Sequence, residues 1–448
     1  MHINDLFPEV LGEIFTEFTA AALEAEDLAV ASYLGPLLLS HVCRYWRDVA
    51  LQNHELWSFI FVSQPPRDAL RVKPSIELVK TWLERSHEWP VDLQTDLQNP
   101  TASKVMALLR LLITHSARWR AVNFEMKTPL DWDLLGGGII DAPKLTRLRA
   151  SWDAWPWLPV NIPQAAAQAI PIRWGTNLRQ LECPHIYNQS VTIMSQLHWA
   201  SLREIWLYWA ADADIVFIFT HCPLLESCTF PFLSKRAMHP NPELLAPNLR
   251  TLRVAQAEES GRLFIYNSLT CPQLEFLAVT DTQGESANSD PGPAILGFFA
   301  RSRCALTYLE LSSPTLRTDD LLQVLVAVTA SLRILKLPID LYDGLSLFLE
   351  QFDLKRRGEF ILCPQLVWLS LPIIELRHYP VLTSSLESRW NIPADLQSSV
   401  VRLQTVEIPF WGESERGWTE PLKALKAAGM DITIDDHLFR NHNVVEDL

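Results

Sequence analysis

The chain has 448 residues, 48% of them hydrophobic and 20% charged, which supplies ample core material and excludes a disordered chain. Its 38 Lys and Arg stand against 52 Asp and Glu, a net charge of −14 that repels a nucleic-acid backbone, and no basic cluster offsets it. No run of 18 uncharged apolar residues occurs, so no membrane helix is expected, and the leading Met-His-Ile-Asn-Asp lacks the basic-then-apolar order of a secretory signal.

Seven cysteines, an odd number spread thinly, then imply reduced thiols in the cytosol or nucleus. At roughly 150 residues per domain, the length allows about three ordinary domains or one long repeat array.

In chain order, residues 1–62 follow a helical rule. Val10, Leu11, Ile14, Phe15 and Phe18 form one apolar stripe, Pro8 can open the helix, and Glu9 sits at its positive end. Pro36 can open a second helix, with Leu39, Val42, Cys43, Trp46, Val49 and Ala50 on one face and Arg44, Arg47 and Asp48 on the other. A short third helix is expected near Asn53–Trp57. Three short helices bury little surface, so a partner is expected to complete their core.

Residues 63–448 obey a different rule. Apolar residues at i, i+3 and i+5 recur, with first positions at Trp119, Leu145, Leu178, Leu202, Leu225, Leu249, Leu274, Leu306, Leu332, Leu366 and Leu403. The clearest copies lie within 117–410, at spacings mostly in the twenties, the mark of a leucine-rich solenoid. The last two apolar positions of each copy alternate as one face of a strand requires, and each strand needs neighbours to cover that face. Apolar stretches such as Ala213–Thr220 and Leu321–Val328 suit short helices between strands, and 281–294 reads as a surface loop.

The residues Leu6-Phe7-Pro8-Glu9-Val10-Leu11, Ile14-Phe15, then Val42-Cys43-Arg44-Tyr45-Trp46-Arg47-Asp48-Val49-Ala50, then Leu56-Trp57 resemble an F-box. The remainder resembles the leucine-rich repeats that often follow one. Phe7 and the long Thr19–Gly35 link depart from the minimal motif, and the repeats lack the asparagine eight residues after the first leucine, so no asparagine ladder is expected.

The fold that this resemblance implies is α/β. An N-terminal three-helix F-box over 1–62 would lead into an irregular leucine-rich-repeat solenoid with a parallel concave sheet over 63–448. The role it implies is the substrate-recognition subunit of an SCF-type ubiquitin ligase, without catalysis or cofactor. Its F-box would bind a Skp adaptor, and through it cullin and RING subunits, while the repeats hold a protein substrate. By position, the adaptor-facing residues are Leu6, Pro8, Glu9, Leu11, Ile14, Leu39, Val42, Trp46, Val49 and Trp57. Several of these can equally be core. A scaffold that binds the adaptor outside any cullin complex is the alternative.

On such a solenoid the recognition face comes from the positions two, four and six after each first apolar residue. They give Arg147, Arg149, Glu204, Trp206, Tyr208, Arg253, Phe276, Tyr308, Lys336 and Trp368, rich in the aromatic and Arg anchors of protein interfaces. Arg147, Arg149 and Arg253 can in principle receive a phosphate.

Other chemistry finds little support. Cys222, Cys271 and Cys363 share a register before proline with Ala142 and Ala246, so the position asks for a small buried side chain rather than a metal ligand. Gly136-Gly137-Gly138 lacks the Lys of a phosphate loop, Asp435-Asp436-His437 reads as a solvated end, and the Trp152–Trp157 cluster as a packed loop. An enzyme on the same scaffold would need paired carboxylates that Glu182, Glu204, Glu310 and Glu407 do not supply.

Overall fold

The computed structural model describes the chain except residues 1–2, 4–5, 25–35, 65–71, 128–134, 136–137, 153–171, 184–197, 235–241, 258, 282–289, 313–315, 338–343, 357–359, 372–373, 375, 410–418 and 436–448. The Trp155 and Trp157 cluster, Gly136-Gly137, Asp436-His437 and most of the 281–294 loop lie outside the described residues. Two compact units result, residues 1–208 and 209–448, each mixed α/β and each built on a parallel sheet.

The first unit opens with helix α1 (Pro8–Glu24). Leu11, Phe15 and Thr19, spaced by four, are buried, and the Thr19 hydroxyl donates to the Phe15 carbonyl at 2.8 Å. Residues 36–42 form α2, and α3 spans Arg44–Gln52. The single helix expected from Pro36 to Ala50 is therefore two. Cys43 is extended (φ −157°, ψ 175°), and its Sγ accepts the Trp46 N–H at 3.4 Å, so a residue expected on an apolar face acts as an N-cap.

Cross-links tie these helices together. Tyr45 donates its hydroxyl to the Leu6 carbonyl at 2.6 Å, Asn53 Nδ2 donates to the Gly12 carbonyl at 3.2 Å, and the Phe15 and Trp46 rings lie 4.9 Å apart. A single 3-10 turn, His54–Trp57, follows, with Trp57 Nε1 donating to the Ala50 carbonyl at 2.8 Å.

The chain then runs into β1 (Phe59–Ser63), a strand that straddles residue 62. Next come α4 (Ile76–Arg85), β2 (Val91–Leu97), α5 (Ser103–Ile113), β3 (Trp119–Met126), β4 (Ile140–Ala142), β5 (Arg147–Trp152), β6 (Ile172–Trp174), β7 (Gln180–Cys183) and β8 (Glu204–Leu207). β1, β2, β3, β5, β7 and β8 lie side by side in chain order, all parallel, while β4 and β6 pair with each other.

The second unit repeats the plan. It contains β9 (Trp209–Ala211), α6 (Asp212–His221), β10 (Ser227–Ser234), β11 (Leu244–Leu245), β12 (Thr251–Ala257), α7 (Glu259–Ser268), β13 (Leu269–Thr270), β14 (Phe276–Asp281) and α8 (Gly292–Ser302). After them come β15 (Tyr308–Ser312), α9 (Thr318–Val328), β16 (Ile334–Lys336), α10 (Leu345–Phe352), β17 (Trp368–Ser370), α11 (Tyr379–Trp390), β18 (Thr405–Pro409), α12 (Thr419–Ala427) and β19 (Asp431–Asp435). From β10 to β19, apart from the separate β11–β13 pair, each strand lies parallel to the next.

The apolar register dictates this order. Leu249, Leu252 and Val254, like Leu274, Leu277 and Val279, or Leu306, Leu309 and Leu311, are buried on one side of the sheet. A backbone fork holds many of these strands to their neighbours. The Thr146 carbonyl accepts Arg179 N–H (2.8 Å) and Gln180 N–H (3.2 Å), and the Arg250 carbonyl accepts Glu275 and Phe276 N–H, both at 2.9 Å. A side-chain ladder runs beside it. Asn177 Nδ2 donates to the Pro143 carbonyl (3.3 Å) and Asn248 Nδ2 to that of Pro223 (2.9 Å). Ser201 donates to the Leu178 carbonyl (2.9 Å) and Ser331 to that of Leu306 (2.8 Å). Asn or Ser one residue before the first leucine thus makes these four cross-repeat bonds, at a different position from the asparagine eight residues on.

Arginines, two of them buried, satisfy carbonyls at and just beyond helix ends. Arg118 donates to the carbonyls of Leu83 and Trp89 beyond α4, and Arg301 to those of Tyr266 and Leu269 beside α7. Arg389 is the most enclosed: Nε donates to the Phe352 carbonyl at 2.9 Å, the terminal nitrogens to those of Cys363 and Leu362, and the guanidinium lies 3.8 Å from the Phe352 ring. Burial pushes its pKa down to about 10, which leaves it charged at neutral pH.

Arg389→Met strips the donor from the buried carbonyls of Phe352 and Leu362 and one of two from that of Cys363, and is expected to lower stability by about 3 kcal/mol. Arg356→Met, which loses only the exposed pair with Glu350 at 3.1 Å, is expected to cost under about 1 kcal/mol. Urea midpoints of the two full-length variants check the contrast.

Candidate functional site

Two surfaces gather the expected site residues. The first is the outer side of α1 and α2. Of the residues assigned to an adaptor, Leu11, Leu39, Val49 and Trp57 are packed inside the chain's own core, and Leu6 and Trp46 are half-buried. For the four buried ones the outward assignment is corrected: they hold the helices together, and α1 turns a different edge outward. Pro8, Glu9, Ile14 and Val42 do face out, Val42 at 59% exposure.

They are joined by residues not assigned to an adaptor: Phe7 (75% exposed), Val10, Phe18 and Leu38. α1 carries two apolar stripes. Leu11, Phe15 and Thr19 point into the chain, while Phe7, Val10, Ile14 and Phe18 point away. The second stripe was visible as a widening of the first, since one face of a surface helix rarely needs both.

The second surface is the side of the sheets opposite the buried leucines. In the first unit it is a polar network. Arg147 Nε donates to Gln180 Oε1 at 2.5 Å, and Gln180 Nε2 donates to Glu204 Oε2 at 2.7 Å. Arg149 pairs with Glu182 Oε1 at 3.0 Å, and the Tyr208 hydroxyl donates to the same oxygen at 3.1 Å, with the Trp206 ring 6.1 Å from that of Tyr208. Burial raises the Glu182 carboxyl, against Arg149, which lowers it. Burial likewise pushes Tyr208 up to about 12, helped by the Glu182 charge. Arg147 and Arg149 are therefore engaged with their neighbours and do not stand ready for a phosphate.

In the second unit, strand register arranges the same face in rows. Thr251, Phe276, Tyr308, Ile334, Trp368 and Thr405 are successive partners, and so are Arg253, Ala278, Glu310, Lys336, Ser370 and Glu407. Phe276 and Tyr308 stack at 3.8 Å between centroids and 13° between planes. Arg253 lies 4.3 Å from the Phe276 centroid, and Lys336 Nζ 5.2 Å from that of Trp368 and 6.0 Å from that of Tyr308. The Tyr308 hydroxyl donates to Glu310 Oε2 at 2.7 Å.

Tyr308, assigned as a contact, is only 7% exposed. It is the filling of the stack, and burial raises its phenol well above the ordinary range.

No group of three or more His, Cys, Asp or Glu arranged to hold a metal is found among the described residues. Cys222, Cys271, Cys363, Ala142 and Ala246 are all buried, and burial pushes the Cys222 and Cys363 thiols up to about 12, far from nucleophilic thiolates. No helix among the described residues is long and apolar enough to cross a membrane.

No family model matches the chain, and no curated protein matches it. Among solved structures, a Bacteroides fragilis protein is similar over 79% of this chain and 76% of its own, at 10% identity and a TM-score of 0.32.

The raised Tyr208 value carries a sign. An unfolded tyrosine ionises near pH 10. Folding favours the neutral phenol, so this contribution is whole below pH 10 and is lost as pH climbs towards about 12. Tyr208→Phe is expected to flatten that part of the alkaline stability decline, read from denaturation midpoints across the range.

Proposed function

We propose that this chain is the substrate-recognition subunit of an SCF-type ubiquitin ligase. Its leading helices would dock a Skp adaptor, which brings cullin and RING subunits, and its sheet face would hold the protein to be ubiquitinated. The observation that carries the reading is the double stripe of α1. One stripe is enough to fix the helix to α3, so the outward stripe of Phe7, Val10, Ile14 and Phe18 has no internal purpose among the described residues. Apolar side chains left in water at that density mark an interaction surface. They lie in the segment whose sequence resembles an F-box, beside Pro8, Glu9 and Val42.

The mechanism needs no bond chemistry from this chain. Holding a substrate beside a charged conjugating enzyme raises the effective concentration of its lysines and converts a bimolecular encounter into a local one. The aromatic and cationic rows of the second unit suit that role, because large rigid side chains at low entropy cost dominate capture energetics. Such work belongs in the cytosol or nucleus.

Affinity purification of the full chain from cells is expected to bring down a Skp-type adaptor together with a cullin. Ile14→Asp with Val42→Asp places two charges on the outward stripe, each expected to weaken the adaptor complex at least about 30-fold, with helical circular dichroism unchanged. An adaptor retained by the double variant would overturn the docking surface, and an adaptor arriving without cullin would overturn the ligase role.

A further inference from the structure

We infer that the Arg253–Phe276–Tyr308–Lys336–Trp368 shelf of the second unit receives an extended protein segment with an apolar or aromatic side chain between two carboxylates, in the order acidic, any, apolar, any, acidic. The inference rests on the proposed capture role and names its substrate class.

The charges argue for it first. In this chain of net charge −14, several basic side chains on the sheets find an acid: Arg120 meets Asp92 at 2.6 Å, Arg149 meets Glu182 at 3.0 Å and Arg250 meets Glu275 at 2.9 Å. Arg253 and Lys336 meet rings instead, and neither forms an ion pair among the described residues. Glu310 is the strand neighbour of Lys336 in register, yet its Oε2 takes the Tyr308 hydroxyl. Two half-buried cations, held over aromatic faces and without a carboxylate, are complementary to an acidic ligand.

Spacing supplies the order. Arg253 and Lys336 share one register row, three strands apart through Ala278 and Glu310. Strands lie about 4.8 Å apart, so the two positions are roughly 14 Å apart. An extended chain advances about 3.3 Å per residue, and its side chains at i, i+2 and i+4 point the same way, covering roughly 13 Å. Acidic residues at i and i+4 then reach the two cations while i+2 faces the floor between them. That floor is the half-buried Phe276, backed by the buried Tyr308, and Ala278 is the smallest side chain of its row, leaving room beside the rings. The Glu310 carboxylate at the centre disfavours an acid at i+2, which selects an apolar residue there.

The test uses the full-length protein and fluorescent nonapeptides of glycine and serine with glutamate at the third and seventh positions and phenylalanine at the fifth. This peptide is expected to bind at least 10-fold more tightly than versions with glutamine for both glutamates or alanine for phenylalanine, and to weaken with added salt. R253A and K336A are each expected to lose about 5-fold or more, while R253K and K336R, which keep the charge, hold within about 3-fold. Equal affinity for the glutamine peptide, or alanine variants that bind as wild type with unchanged thermal melting, would overturn the inference. A version carrying two phosphoserines in place of the glutamates that alone binds would likewise overturn the carboxylate assignment. Adaptor purification with the same variants is expected to be unaltered. A wild-type protein that brings down the adaptor but does not bind the glutamate peptide therefore sinks the shelf, and one that binds the peptide but brings down no adaptor sinks the ligase role.

Discussion

From β5 onward, most strands take their backbone register from a neighbour through the carbonyl that follows a repeat's first apolar residue. That one oxygen receives two N–H groups, as Thr307 does from Arg333 and Ile334, both at 2.9 Å. The fork fixes which residue stands opposite which, and the alternation of the pleat then decides which side chains go inward. Because register is set by backbone and leucines alone, the outward positions are released from folding duty. They are polar in the first unit and aromatic in the second without any change in the strand framework. A nearest-neighbour architecture of this kind tolerates different outward chemistry along its length.

The same dependence leaves problems at helix ends, where carbonyls face the interior with no strand to take them. Arginine solves these because its fork can reach several oxygens at once and its apolar stem packs. Arg389 combines three carbonyls and a ring face, and Arg118 does comparable work with Ser86 as an added acceptor. Enclosed positive charge is tolerable here because the helix C-terminus supplies opposing partial charge.

Much of this was readable in the residues, though unevenly. The leucine register named the buried side of the strands because burial is a property of each copy by itself. The helices at Asp212–His221 and Thr318–Val328 followed from continuous apolar stretches of the right length. The break at Cys43 did not, since a thiol acting as N-cap looks like an apolar residue in a periodicity argument. The Asn177, Ser201 and Asn248 bonds were hidden although each residue stands just before a repeat's first leucine, because the partners are carbonyls 23 to 34 residues away and no spacing rule names a backbone acceptor. The outward side of the strands was legible as a set of positions, but the neighbours that occupy some of its members were not. Arg147 and Arg149 looked available because their partners, Gln180 and Glu182, sit on a neighbouring strand more than thirty residues on. Leu11 and Ile14 belong to one sequence stripe yet point to opposite fates, which only the position of α3 decides.

The charge balance adds a last constraint on what this face can select. With −14 overall, the chain repels acidic proteins at long range, so two cations on one shelf cannot attract them indiscriminately. Within a Debye length the local field of Arg253 and Lys336 dominates, but only a ligand that also buries apolar surface on Phe276 and Trp368 gains enough to offset the long-range repulsion. Under the proposed capture role, specificity would then come from requiring both terms together. A purely acidic segment fails for lack of apolar burial, and a purely apolar one leaves both cations to be desolvated without a partner. Arranging the cations over the rings, rather than beside carboxylates of the chain itself, is what keeps both requirements on the same few strands.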